Sequence, residues 1–427
     1  MADKRPHIVI IGAGFGGIRA AQLLAGENVR LTVIDRENYH LFQPLLYQIA
    51  TSELAAQEIC YPIRSFFRKN SNVDFLKAAV TGFDTEKQLV QTSEGDVAYD
   101  YLVLAAGATT NFFGMKTVEQ NSFPMKTLRE ALKLRDHIIE MFEAANRTAD
   151  IEERKKLLTF VCVGGGPTGV ELAGALSELI YNVMSGDYRH INFREVSIQL
   201  VEAMGSVLMM MPEPLQKDTI KVLDQRLNVE VRLNTQVMDY DGEVLKLKGG
   251  AEIPSRTVVW AAGVKAVPVM ERLGAETDRA GRVMVDEYLQ VKGFKNIFAI
   301  GDCAHFEQDG RPLATIAPVA TQEAAVCADN LMRLINRHNE PWTVFRYKDV
   351  GSMATISNGQ AVMAMDSFFG KLQLTGFIAW TGWMFVHILR LAGTYTNMVV
   401  LWKWLLNYFI GIRLGRIIIG GKKSEQE

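Results

Sequence analysis

The sequence predicts an α/β fold with two parallel, helix-covered sheets, and three repeated features predict it. A strand, a glycine-rich turn and a helix follow one another twice, from Pro6 and again over Leu158–Gly174. Each copy leads to an apolar strand that ends on an acid, Asp35 in the first and Glu202 in the second. Each half also holds a short strand running into Ala-Gly, YLVLAAGATT (Tyr101–Thr110) and TVVWAAGVKA (Thr257–Ala266). Three segment types recurring in one order mark an internal duplication.

In the first copy, Ile8–Ile11 are four consecutive β-favouring apolar residues, the pattern of a strand buried on both faces. Gly12, Gly14 and Gly17 follow at G-x-G-x-x-G spacing, then a helix-like run Ile18–Leu24 and a second strand Leu31–Ile34. Gly12 allows the tight turn, Gly14 lets a pyrophosphate approach the backbone, and Gly17 lets helix and strand pack closely. Asp35 can accept hydrogen bonds from a ribose diol. The phosphates would rest on the N–H groups at the positive end of the helix. With strand, helix and acid all in place, the spacing reads as a dinucleotide site rather than an ordinary βα turn.

Ser122–Ala145 carries a helical pattern expected to bridge two domains. Gly164, Gly166 and Gly169 then repeat the glycine spacing, and Val196–Val201 leads to Glu202. From Gly169 to Glu202 is 33 residues, longer than the usual interval of about 20. The helix is therefore expected to run on through Val183, with a loop at Ser185–Arg194. An acid at this point favours NADH over NADPH, because it repels a 2′-phosphate and Ala203–Ser206 brings no positive charge. Asn296–Ala304 (NIFAIGDCA) has no twin. It reads as a strand ending in Gly-Asp that returns the chain to the first fold, so the second fold is an insertion and the two mouths can face one another.

The expected architecture is thus two Rossmann-like dinucleotide-binding domains, the second inserted in the first, plus a C-terminal α+β region with amphipathic membrane-surface helices. The boundaries are residues 1–115 and 280–343 for the first domain, 116–157 for bridging helices, 158–279 for the second domain and 344–427 for the C-terminal region. In that last region, Ser352–Ile356 and Ala361–Met365 read as strands. Leu372–Leu389 is an 18-residue stretch without full charge, near the lower limit for a spanning helix. Asn397–Ile412 has a narrow polar stripe (Asn397, Lys403, Asn407, Gly411) on an apolar surface with Trp402, Trp404 and Tyr408. Interfacial aromatics with a basic edge suit a helix lying in a membrane surface; a dimer interface or domain core would use the same residues.

At 427 residues the chain is long enough for two to three domains. Apolar content of 48% with 22% charged residues excludes both a disordered chain and a wholly embedded one. The net charge of −2 offers nothing to nucleic acid, and no metal is called for. The total hides an asymmetry. Between Ser367 and Ser424 there is no acid, against Lys371, Arg390, Lys403, Arg413, Arg416, Lys422 and Lys423. A basic, Trp-rich tail points to an anionic lipid surface. Cys60, Cys162, Cys303 and Cys327 form no C-x-x-C pair, so a reducing, cytoplasmic compartment is expected. The N-terminal apolar run dissolves into the glycine turn and reads as a strand, not a signal peptide.

The paired glycine turns, the two Ala-Gly strands and FAIGDCA resemble the glutathione-reductase-like flavoproteins. Four segments resemble, more narrowly, the type II (non-proton-pumping) NADH:quinone oxidoreductases: NYHLFQPLLYQIAT (Asn38–Thr51), GGGPTGVELAGAL (Gly164–Leu176), ATIAPVATQEA (Ala314–Ala324) and LTGFIAWTGW…VHI (Leu374–Ile388). The resemblance implies FAD held non-covalently in the first fold, NADH as co-substrate in the second, and a membrane quinone as acceptor. It also implies a homodimer seated on the cytoplasmic face of the inner membrane. For FAD it implies Gly12, Gly14, Phe15, Gly16, Gly17, Asp35, Arg36, Pro44, Val80, Ala106, Gly107, Gly301 and Asp302, with Leu45 packed near the flavin. For NADH it implies Gly165, Gly166, Pro167, Thr168, Glu202, Ala262 and Gly263. Glu171 and Gln322 would be catalytic, serving quinone protonation, although an acid in the first turns of a helix is favoured by the helix dipole in any case. Gln322 would meet the quinone with Pro318 and Val319, Pro318 standing where the family often has a Gln. His40 reads as structural.

Two other chemistries fit the same scaffold. A disulfide reductase or sulfide:quinone enzyme needs a reactive thiol by the flavin, and Asn38–Thr51 contains no Cys. A flavoprotein redox sensor would bind NADH with little turnover and use the tail as a partner surface.

Overall fold

The computed structural model describes residues 4–336, 339–367, 370–411, 413 and 415–418. Ile412 and Phe369, and the basic pair Lys422 and Lys423, lie outside the described residues. Contacts divide the chain into two units. The first comprises Met1–Leu41, Cys60–Thr109 and Val264–Asp349; the second comprises Phe42–Ile59, Thr110–Gly263 and Val350–Glu427.

The first unit is built on a five-stranded sheet in the order Ile297–Ala299, Tyr101–Leu104, His7–Ile11, Arg30–Asp35, Val73–Lys77, with every neighbouring pair parallel. Both faces of such a sheet are covered, which is why His7–Ile11 is buried at every position. Ile297–Ala299 pairs with Tyr101–Leu104, so the chain does return to its first sheet after the second fold is complete. The helix Phe15–Leu24 follows the glycine turn. A three-stranded antiparallel meander, Val80–Asp84, Leu89–Thr92 and Val97–Ala98, lies in the chain between Val73–Lys77 and Tyr101–Leu104.

The second unit repeats this plan. Its sheet runs Phe123–Pro124, Thr257–Trp260, Thr159–Val163, Ser197–Val201, Val229–Arg232, again all parallel. Its own meander, Val237–Tyr240, Val244–Leu247 and Glu252–Pro254, occupies the equivalent place in the chain. The helix Leu128–Arg147 belongs to this unit and starts on a capping box in which Thr127 and Glu130 satisfy each other's backbone N–H groups. The helix Pro167–Ser177 continues without a break into wide π-type turns over Glu178–Met184. This continuation and the short turns after it account for the long interval before Glu202.

In the C-terminal region three antiparallel strands, Ser352–Ser357, Gln360–Ser367 and Gly370–Thr375, precede the helices Gly376–Arg390 and Thr394–Ile410. The stretch Leu372–Leu389 is therefore not one helix. Leu372 and Leu374 alternate with Gln373 and Thr375 at the two-residue period of a strand, and Gly376, at φ +69°, makes the break. The helix that remains has 15 residues, and among the described residues no helix is long and apolar enough to cross a membrane.

Candidate active site

In the first unit the glycine turn has no room for side chains where the motif demands none. Gly12 sits at φ +99°, and a Cβ there would lie 2.3 Å from the Ala105 carbonyl oxygen. A Cβ on Gly17 would lie 1.8 Å from the Gly12 oxygen. Gly14, by contrast, faces open space, with room for a ligand to approach its backbone. The Gly12 N–H donates to Ile34 O at 2.8 Å. Asp35 is tied to the same loop: Oδ2 accepts from the Ala13 N–H at 2.7 Å and Oδ1 from the Glu37 N–H at 2.9 Å. Each oxygen keeps a lone pair for a ribose hydroxyl. Burial raises the Asp35 pKa against the pull of these two N–H groups.

His40 supports this turn from below. Its Nδ1–H donates to the Ala13 carbonyl at 2.8 Å, and its ring meets Phe15 and Phe66 edge-on at 5.2 and 5.8 Å. Burial lowers its pKa.

The second unit reproduces the arrangement. Gly164 sits at φ +114° with its absent Cβ 2.8 Å from the Ala261 carbonyl carbon, Gly169 abuts the Gly164 oxygen, and Gly166 faces open space. The Gly164 N–H donates to Val201 O at 2.9 Å. Glu202 accepts from the Gly165 N–H at 2.5 Å through Oε2 and from the Met204 N–H at 2.7 Å through Oε1. The strand register agrees too, Val163 opposite Val201 as Ile11 is opposite Ile34. The longer interval thus leaves the acid in the place its counterpart holds. Arg232, on the adjacent strand, is paired with Glu230 at 2.9 Å. Pro167 opens the helix behind Gly166, and Pro167 and Thr168 are exposed beside it. Gly263, after Ala262, is at φ +85°, and a Cβ there would meet the Phe113 ring at 2.7 Å.

Of the remaining candidates, Ala106 and Gly107 form the turn after Tyr101–Leu104, with Gly107 at φ +72°. Gly301–Cys303 is a tight turn that presents Asp302 half-buried. Gly16 packs against Ile300, Val80 opens a meander strand, and Arg36 is exposed just past Asp35. Pro44 lies in the turn Gln43–Leu45, which belongs to the second unit. Pro318 and Val319 are in the first turn of the helix Ala317–Asn336. Gln322, on that helix, is engaged with Lys348: its Nε2 donates to the Lys348 carbonyl at 2.9 Å, and its Oε1 accepts the Lys348 N–H at 3.0 Å. Its neighbour Glu323, which sequence reasoning passed over, is 2% exposed and accepts from the Gly301 N–H at 2.5 Å. Burial pushes its carboxyl up to about 8.

Glu171 belongs to the second unit and Gln322 to the first. Glu171 is buried in the helix Pro167–Ser177, where Oε1 accepts from the Thr355 N–H at 3.4 Å. Burial holds its pKa well above the usual carboxylate range. It lines a small, partly open cavity together with Tyr47, Gln48, Thr355 and the rings of Trp380, Trp383 and Trp404. The Trp404 Nε1–H donates to Gln48 Oε1 at 2.9 Å, and Gln48 Nε2 donates to the Tyr47 hydroxyl at 3.0 Å, fixing that wall. Burial, reinforced by Glu171, keeps the Tyr47 phenol protonated. Burial thus makes Glu171 hold its proton more tightly than an exposed carboxyl would, at the edge of a cavity with polar walls.

Residues 6–324 match the family described as pyridine nucleotide-disulphide oxidoreductase. The chain is 38% identical over 437 residues to the type II NADH:quinone oxidoreductase Ndh of Mycobacterium tuberculosis, covering 99% of this chain and 92% of that one. It is similar in fold to the solved NDH2 of Plasmodium falciparum in complex with NADH, with a TM-score of 0.87 at 23% identity over 98% of this chain and 100% of that one. It is also similar in fold to the sulfide:quinone oxidoreductase of Aquifex aeolicus, with a TM-score of 0.71 at 20% identity over 95% and 96% of the two chains.

Proposed function

The chain belongs to the pyridine nucleotide-disulphide oxidoreductases and, within them, to the type II NADH:quinone oxidoreductases, and from that membership we propose that it oxidises NADH with a non-covalently held FAD and reduces a membrane quinone without pumping protons. The observation that carries the reading is the doubled turn. Two open glycine backbones, each with an acid bonded into the loop, suit one resident and one visiting dinucleotide. Gly12, Gly14, Phe15, Gly16, Gly17, Asp35, Arg36, Pro44, Val80, Ala106, Gly107, Gly301 and Asp302 would hold FAD. Gly165 to Thr168, Glu202, Ala262 and Gly263 would hold NADH, with Glu202 set against a 2′-phosphate. When bound, the flavin supplies hydride acceptance from the nicotinamide and two-electron transfer to the quinone.

The chain's own groups orient the reactants and manage the proton. Gln322 has one Nε2–H committed to Lys348 and a second to offer a quinone carbonyl. Pro318 and Val319 would make the apolar part of that contact. Glu171 would deliver a proton to the quinone oxygen.

The thiols argue against the sulfide and disulfide chemistries. Burial pushes Cys60, Cys162 and Cys303 up to about 12, and Cys327 higher still, so none presents a thiolate at neutral pH.

The membrane reading rests on shape more than on charge. Lys403 is paired with Glu58 at 2.5 Å, Arg413 with Glu178 at 2.8 Å and Arg416 with Asp187 at 2.8 Å, so these tail cations are answered within the chain. Arg390 and Lys371 stay exposed. Phe377, Ile378, Phe385 and Leu389 on one tail helix, and Tyr395, Met398, Trp402, Phe409 and Ile410 on the next, are more than half exposed. That row would sit in the lipid interface on the cytoplasmic face, Arg390 and Lys371 towards anionic headgroups, in a homodimer. Steady-state NADH oxidation with a short-chain quinone tests the reading against its rival: a faster rate with sulfide than with NADH would reverse it.

A further inference from the structure

The cavity beside Glu171 reaches a group of charged side chains that dinucleotide binding leaves unused. Glu178, at the start of the π-type turns, accepts from Arg413 at 2.8 Å through Oε2 and from the Asn358 N–H at 2.6 Å through Oε1. Arg413 is 1% exposed. It stands 3.7 Å from Glu53 and donates to the carbonyls of Thr51 and Ala175 at 3.2 and 3.0 Å. Glu53 accepts from Asn407 at 2.9 Å through its other oxygen. Glu171, Glu178, Glu53 and Tyr47 all line the one cavity.

The charges here do not balance. Three carboxyls line the cavity, and the single guanidinium of Arg413 pairs with two of them, Glu178 and Glu53. Among the described residues, the other ionisable groups on the packed elements bring no further positive charge. Lys403 is turned to Glu58, and Arg416 to Asp187. His387, stacked on Trp383, has its pKa lowered to about 4 by burial and is neutral. A low-dielectric interior does not hold two uncompensated carboxylates, so the group keeps at least one exchangeable proton at neutral pH. Burial accordingly pushes Glu178 up to about 7 despite Arg413. Among the described residues, three of the buried polar atoms that have no hydrogen-bond partner lie here: Trp383 Nε1 on the cavity wall, Arg413 Nε beside Glu178, and Ser52 Oγ next to Glu53 in the chain. A lining of this kind is what a bridging water needs.

We propose that Glu178 and Glu53, bridged by Arg413, are a proton relay that reloads Glu171 through this cavity during quinone reduction. The inference rests on the reading of Glu171 as proton donor to the quinone. The reaction NADH + H⁺ + quinone → NAD⁺ + quinol draws two electrons and one hydrogen from the nicotinamide and one proton from the medium. Glu171 gives its carboxyl proton to a quinone oxygen and becomes a carboxylate. A water accepts the Glu178 proton and passes one to Glu171, and Glu178 is reloaded on the Glu53 side. Arg413 holds the two outer acids in place and opposes the rise that burial gives Glu178.

Stopped-flow measurements on the flavin-loaded enzyme test this, with Glu178→Gln, Glu178→Asp and Glu53→Gln variants and a short-chain quinone. Bleaching by NADH should be unchanged in all three. Re-oxidation by quinone should fall about tenfold near pH 8 in both Gln variants, the deficit closing towards about pH 6 and shrinking when acetic acid is added. Glu178→Asp should recover much of the rate. Glu53→Gln leaves the Arg413–Glu178 pair intact, so it reports on the relay even if Glu178→Gln fails to fold. Re-oxidation profiles that superimpose on the wild type, or a loss equal at every pH and indifferent to acetic acid, overturn the relay. A wild-type enzyme that quinone does not re-oxidise at all overturns instead the function on which it rests.

Discussion

Asp35 and Glu202 occupy the same position in two folds. Each carboxylate accepts the N–H of the second residue of its glycine turn, Ala13 or Gly165, and the N–H two residues after itself, Glu37 or Met204. An acid held this way needs no neighbouring cation to stay oriented, and it closes its loop while presenting spare lone pairs to a ribose.

Glu202→Ala removes the acceptor for two loop N–H groups and, on the proposed function, the group that would hold the NADH ribose. The KM for NADH should rise about tenfold or more, with flavin absorbance and kcat largely kept. Steady-state titration with NADH, and in parallel with NADPH, checks this; discrimination against NADPH should weaken. An unchanged KM would remove Glu202 from the site.

Gly12→Ala forces a Cβ to 2.3 Å from the Ala105 oxygen at φ +99°. A strained backbone and a clash together should cost about 2–4 kcal/mol and expel the flavin. Absorbance of the purified variant and its Tm are the readouts. A yellow protein of wild-type Tm would contradict the close approach.

Gln322→Ala should raise the KM for quinone while leaving flavin bleaching by NADH nearly untouched. Because the same amide pins Lys348, Gln322→Asn is the useful companion: it keeps an amide but shortens its reach. Equal quinone KM values in all three proteins would leave Gln322 with a structural part only.

Glu323 makes stability depend on pH. Its carboxyl rises on folding from an ordinary value of 4.5 to about 8 because it is buried. The native state then binds more protons than the unfolded state across that window, so stability falls as pH climbs through it. Glu323→Gln stays neutral and its amide oxygen can still accept from Gly301, so the slope should flatten. Tm curves of the two proteins should diverge with rising pH, the variant being the more stable at the alkaline end. Parallel curves would refute the assignment.

The tail is better tested by point changes than by truncation, since Trp404 and Arg413 are buried in bonds to Gln48 and Glu178. Ile378→Glu, Leu389→Glu and Phe409→Glu together touch only exposed positions. The triple variant should lose vesicle binding and keep bleaching by NADH. Full retention on vesicles would remove the tail from the membrane face.

Much of this was legible in the sequence because it depends on local pattern. The buried strands around Gly12 and Gly164, the acids that end the second strands, and the return at Ile297 all follow from apolar runs and glycine spacing. The helix running on through Val183 followed from the length of the interval before Glu202, although Ser185–Asp187, expected to open a loop, adds a further helical turn. The two antiparallel meanders were not legible, since strands of two to five residues with polar alternation resemble loops. Leu372–Thr375 was read with the helix because absence of charge was counted where alternation should have been. The tail's cations pointed outward in composition, yet Arg413 and Arg416 are answered by acids more than 200 residues away in the chain. Glu323 lay one residue from Gln322 and was overlooked. Adjacent residues on a helix face different ways, and only the fold shows that one of them meets Gly301.

The central claim is that one chain takes a hydride from NADH and passes the electrons to quinone through a bound flavin. The most direct measurement is anaerobic: add NADH to the purified protein, follow the flavin absorbance, then add a short-chain quinone and assay quinol. The account predicts a yellow protein that bleaches with NADH and recovers its colour as quinol forms in equal amount. A colourless protein after reconstitution with FAD, or a bleached one that quinone leaves bleached, would contradict it.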